Sequence, residues 1–177
     1  MFVRCKNMFT IGRQREKEHS HQFVKSQEEA FRLDAVIDAV HDMLDGAVRA
    51  EDTIPVFVEA FTNGGSGVWE QAGSWLRKLS EEHPILGHLW REFCRHRSVR
   101  VRFRAATFLE DMPTEVFAEC FPLLLADASA KVRAKVASGC YRCSKREIRD
   151  ILATRLSVET DERVKKSIRF AMTYENP

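Results

Sequence analysis

Val101-Arg102-Phe103-Arg104-Ala105-Ala106-Thr107-Phe108-Leu109 decides the fold, because its opening dipeptide returns 31 residues on as Val132-Arg133 and a further 32 on as Val164-Lys165. A fixed interval of this length is the signature of a repeat architecture. Aligning the three segments on the valine places Ala105, Val136 and Ile168 four residues later, and Leu109, Cys140 and Met172 eight residues later. That spacing is one apolar stripe of an α-helix. Val68, Ala72 and Leu76 extend the series 33 residues upstream, with Gly73 weakening that copy.

Helix signals accompany each repeat. Ser26 and Glu29 form an S-x-x-E capping box ahead of Leu33, Ile37, Val40 and Leu44, and Gly46 supplies the stop. Further helices are predicted over 51 to 62, 67 to 82, 84 to 96, 98 to 110, 113 to 126, 129 to 142, 145 to 157 and 161 to 174. Pro84 and Pro113 suit first-turn positions, and Ser144 with Glu147 repeats the capping box. Asn63-Gly64-Gly65-Ser66-Gly67 is expected to be a loose joint, since three of its five residues are glycine. No segment alternates with period two over strand length, so the expected class is all-α, with about nine helices.

Composition sets outer bounds. A chain of 177 residues, 44% hydrophobic and 31% charged, is one ordinary globular domain's worth and can bury roughly 70% of its unfolded surface. The longest apolar run, Cys120 to Ala126, is far too short to span a membrane. Residues 1–25 are basic without an apolar central segment, so they read as a poorly ordered leader and not a secretory signal. A single domain is expected over 26–177. Five cysteines without framework spacing fit a reducing cytoplasm.

The near-neutral total of +2 hides a division: residues 1–25 carry +4, residues 26–96 carry −7 and residues 97–177 carry +5. Opposite charge at opposite parts of the sequence suits different partners.

Helix pairs of 31 to 33 residues, with V-[RK] near the start of each second helix, resemble HEAT-like repeats. The resemblance covers about residues 50 to 174 and implies a right-handed α-solenoid, an α/α superhelix of stacked helix pairs. It also implies an acidic residue six positions before the basic one, paired with a neighbouring repeat. Asp127 and Glu159 match that pattern before Arg133 and Lys165, whereas His96 stands in the place before Arg102. On this reading Arg102, Arg133 and Lys165 are structural.

Taking 100° per residue, offsets −1, 2, 6 and 9 from each valine point away from the core, onto the inner surface such arrays use for binding. These positions hold Arg100, Phe103, Thr107 and Glu110; Lys131, Ala134, Ser138 and Tyr141; Arg163, Lys166, Phe170 and Thr173. Arg100, Lys131, Arg163 and Lys166 interleaved with Phe103, Tyr141 and Phe170 suit a protein interface, where arginine and aromatics dominate. The alternative is a nucleic-acid surface, with cations on phosphates and rings stacked on bases. HEAT-like DNA glycosylases share the fold, but no local motif of theirs is present. On the first clear helix, Asp34, Asp38 and Asp42 stand at i, i+4 and i+8, a second candidate surface suited to a basic protein such as a toxin or nuclease domain.

Catalytic signatures are missing. Cys140-x-x-Cys143 has no second ligand pair, Cys140 lies on the core stripe, and His19, His21, His83 and His88 form no ligand spacing. Neither a nucleophile elbow, a zinc-protease motif nor a glycine-rich phosphate loop occurs. The expectation is a non-catalytic, cofactor-free cytoplasmic binding module, most simply an immunity-type neutraliser of another protein, with nucleic acid as the alternative partner and the oligomeric state left open. Trp69 and Trp75 are expected in the core.

Overall fold

The computed structural model describes residues 12–140 and 146–173. Among these the chain forms ten α-helices, one short 3-10 turn and no strand, in agreement with the all-α expectation. Two compact units are resolved, Met1–Trp75 and Leu76–Pro177, where the sequence suggests one domain over 26–177 behind a leader.

The first unit holds α1 (Arg13–His21), α2 (Gln27–Leu44), α3 (Ala50–Asn63) and most of α4 (Ser66–Leu79). Helix α1 raises the count among the described residues from nine to ten and lies within residues 1–25, which the sequence alone suggests are a basic leader. Its sequence, R-Q-R-E-K-E-H-S-H, has no aliphatic side chain, so a search for apolar periodicity passes over it. It packs on α2, which packs on α3.

Ser26 caps α2, its Oγ accepting from Glu29 N–H at 3.2 Å. The other half of the expected capping box is redirected: the Glu29 carboxylate accepts from Gly65 N–H at 2.6 Å and so ties the α3–α4 turn to α2. Gly46 ends the helix region with φ of 77°, a conformation that disfavours a side chain. Gly64 in the α3–α4 turn and Gly67 in the first turn of α4 serve close approach to backbone and not looseness. A Cβ on Gly67 would lie 2.4 Å from the Phe23 carbonyl oxygen, and one on Gly64 would lie 2.5 Å from that of Ala60. Only residues without a Cβ allow this turn to sit against the backbone.

The second unit contains α5 (Pro84–Arg95), α6 (Val99–Thr107), α7 (Thr114–Leu125), α8 (Ala130–Gly139), α9 (Arg146–Val158) and α10 (Glu162–Thr173). Pro84 opens α5 at its first turn, where the missing N–H costs nothing. Helix α6 is shorter than the predicted 98–110, because a 3-10 turn over Leu109–Asp111 takes its last stretch. Thr107 Oγ1 bonds the Phe103 carbonyl at 3.1 Å, a side-chain contact that competes with helix continuation. Helices pair in sequence, α5 with α6, α7 with α8 and α9 with α10, and α8 lies between α6 and α10.

The repeat register is confirmed by burial. Val101, Ala105, Val132, Val136, Val164 and Ile168 are fully buried, as are Val68 and Ala72 of the first unit. Among the described residues no helix is long and apolar enough to cross a membrane.

Candidate functional site

The second helices of the three pairs in the second unit carry the positions assigned to the inner face. Arg100, Lys131, Arg163, Lys166 and Phe170 are exposed, and Phe103 is half-buried. Because α8 touches both α6 and α10, these side chains come from three adjacent helices. Lys131 Nζ lies 4.7 Å from the centre of the Phe103 ring, close enough for a cation–π contact between neighbouring repeats. Arg163 pairs with Asp161, the residue just before its own helix, at 3.2 Å but stays 82% exposed, so its charge remains presented to solvent. Tyr141 and Cys143 lie outside the described residues.

Behind that face runs a ladder of buried charge. Arg102 of one repeat bonds Asp127 of the next, its second arm at 3.0 Å, and Arg133 bonds Glu159 of the next with both arms, at 2.8 and 2.7 Å. Each guanidinium also donates to two carbonyls before its own helix, those of His96 and Arg97 for Arg102 and those of Asp127 and Ala128 for Arg133. The acidic members double as helix caps, with Asp127 accepting from Ser129 N–H at 2.8 Å and Glu159 from Asp161 N–H at 3.0 Å. His96 does the same task with an imidazole, Nδ1 accepting from Ser98 N–H at 3.1 Å. Lys165 leaves the ladder and pairs locally with Glu162 at 2.7 Å. Hydrogen bonds from Arg133, together with those from Arg155 and backbone amides, overcome burial and hold the Glu159 carboxyl well below the usual range. Burial pushes Asp127 upward, but Arg102 and Ser129 prevail and its pKa is lowered.

The acidic candidate surface is covered by the chain itself. Asp34, Asp38 and Asp42 meet His21, Lys17 and Arg13 at 2.8, 2.7 and 2.6 Å, so two rows of four-residue spacing run antiparallel. The carboxylates read from sequence as facing a foreign protein are therefore engaged by α1. One residue of α1 goes deeper. Glu16 is buried, with Oε1 accepting from Trp75 Nε1 at 2.9 Å and Gln71 Nε2 at 3.2 Å, and Oε2 lying 2.9 Å from His41 Nε2. Sequence reasoning missed Glu16, Arg13 and Lys17, although Arg13, Lys17 and His21 repeat the spacing of the aspartates and carry opposite charge at the first two positions.

Trp75 is in the core as expected, while Trp69 is only half-buried and meets the edge of Phe61 at 6.1 Å between ring centres. Cys140 is buried on the core stripe. No cluster of three or more metal-ligating side chains occurs among the described residues. Comparison with protein-family models, curated proteins and solved structures returned no match.

Proposed function

We propose that this chain is a HEAT-like, right-handed α-solenoid that acts without catalysis, by binding another protein through the exposed side of α6, α8 and α10. The observation that carries this reading is the placement of Arg100, Lys131, Arg163 and Lys166 on three adjacent helices with Phe170 exposed among them. Arginine and aromatic anchors on one rigid layer are what protein recognition uses. The partner's complementary surface is acidic. A protein is favoured over nucleic acid because Phe103, half-buried and engaged by Lys131, is poorly placed to stack on a base. Within this reading, an immunity-type neutraliser of a toxin partner, working in the cytoplasm, suits a short helical array; that Cys94 and Cys120 form no disulfide fits that compartment.

The test is an affinity capture with wild type, Lys131→Glu with Lys166→Glu, and Phe170→Ala, each repeated after nuclease treatment. A protein retained by wild type, lost from both variants and indifferent to nuclease supports the reading. Sub-micromolar binding to random duplex at physiological salt, abolished by the double charge reversal, replaces it with nucleic-acid binding.

A further inference from the structure

We infer that the acidic face of α2 is a docking site for a basic helix of a partner protein, and that α1 is the chain's own occupant of that site, displaced when the partner binds. The partner chemistry can be read from the occupant. Helix α1 presents Arg13, Lys17 and His21 to Asp42, Asp38 and Asp34, the first two as cations, and between those two it presents Glu16 to Trp75, Gln71 and His41. The pattern is a cation, two residues, a carboxylate, a cation, three residues and a histidine.

Two independent features point to an exchangeable ligand. The first is what holds α1 in place: with no hydrocarbon side chain in R-Q-R-E-K-E-H-S-H, it is attached by polar contacts alone, and the pairs of Arg13 with Asp42 and Lys17 with Asp38 are of the part-exposed kind that salt weakens. The ion-pair row is itself open to solvent, Arg13 and His21 being 37% and 42% exposed. The second is what lies beneath it. Three side chains from α2 and α4 converge on one carboxylate, which is a built receptor for an acid group flanked by cations. Four-residue carboxylate spacing on α2 is a liability when bare, because like charges at that spacing repel, so the face is suited to being covered by cations at all times. A partner helix with the same pattern meets that requirement as well as α1 does. The linked helix lowers the partner's apparent affinity by the fraction of time it occupies the face.

This site lies in the first unit and is independent of the inner face of the second, so the two readings fail separately. The experiment titrates a fluorescent peptide of residues 12–25, as the probe basic helix, with the full chain and its variants. Arg13→Glu with Lys17→Glu evicts α1, and peptide affinity should rise by about tenfold or more over wild type at low salt. Adding Asp38→Lys with Asp42→Lys should abolish it, and Lys131→Glu with Lys166→Glu should leave it unchanged. Equal affinity for wild type and Arg13→Glu with Lys17→Glu overturns the proposal, as does no binding to that variant when circular dichroism shows it folded. A wild-type dimer that exchanges α1 between copies also overturns it, assigning the face to a second copy of this chain. Should Arg13→Glu with Lys17→Glu fail to fold, hydrogen exchange on wild type decides. Raising salt from about 0.05 M to about 0.5 M should open α1 amides while those of α2 stay protected, and protection of α1 unchanged by salt would refute the inference.

Discussion

Charge is used in two opposite ways in this molecule. In the second unit Arg102–Asp127 and Arg133–Glu159 are sunk behind the packed helices, the carboxylate side chains being 5% and 0% exposed. In the first unit the row joining α1 to α2 is half open, with Asp38 and Asp42 at 40% and 39%. Buried ions must be fully matched or they destabilise strongly, which is why each ladder arginine also takes two carbonyls and each ladder acid also caps a helix. Exposed ions need no such completeness, and each contributes little. The same ion-pair chemistry is thus enclosed where it joins successive helix pairs and open to solvent where Arg13 and Lys17 join α1 to α2.

The largest expected effect tests the buried side of this contrast. Glu159→Ala removes the carboxylate shared by Arg133 and Arg155 and the cap on Thr160 and Asp161, leaving a buried guanidinium without its counter-charge. A loss of about 3 to 5 kcal/mol is expected from denaturant midpoints. Val132→Asp should be as severe, since an unpaired charge would enter a fully buried position. A loss below about 1 kcal/mol for Glu159→Ala would place the ladder with the exposed pairs.

Much of this was legible in the sequence, and the reason is periodicity. Val101, Val132 and Val164 fix the register of three helices; the positions four residues on are fully buried and Leu109 and Cys140, eight on, are buried too, whereas Met172 is half-buried. The ladder was legible in part, through Asp127 and Glu159. Its partners were one repeat away, and nothing local reveals that His96 caps with a ring nitrogen. Helix α1 was not legible because its order comes from matched charges 13 to 29 residues apart and not from apolar spacing. The glycine turn was misread for a related reason: a glycine needed for close approach looks the same in sequence as one that loosens a chain.

A second, intermediate effect sharpens the contrast through pH. The folded pKa values of Glu159 and Asp127 lie below their ordinary values, Glu159 chiefly through its hydrogen bonds from Arg133, and Asp127 through those from Arg102 and Ser129 against the effect of burial. A depressed carboxyl contributes stability that is complete above its unfolded pKa, about 4, and that is lost as pH falls towards the folded value. The denaturation midpoint should therefore drop steeply below about pH 5. Glu159→Gln should start lower and decline less steeply over that window. Parallel curves for the two proteins would show that the ladder is not what makes the fold acid-sensitive.

The smallest expected effect tests the exposed side. Lys17 is 19% exposed and bonds Asp38 at 2.7 Å, yet its carboxylate partner is open to water and also lies 3.7 Å from Arg13, so removing the lysine leaves no stranded charge. Lys17→Ala should move the global midpoint by less than about 1 kcal/mol. Its cost should shrink further as salt rises from about 0.05 M to about 0.5 M, because exposed pairs are screened over that range, whereas the cost of Glu159→Ala should hardly change. The paired measurement of both variants at both salts separates the two regions on a single plot. If Lys17→Ala proves as costly as Glu159→Ala and as indifferent to salt, α1 belongs to the permanent fold, and the distinction between a fixed ladder and an exchangeable helix collapses.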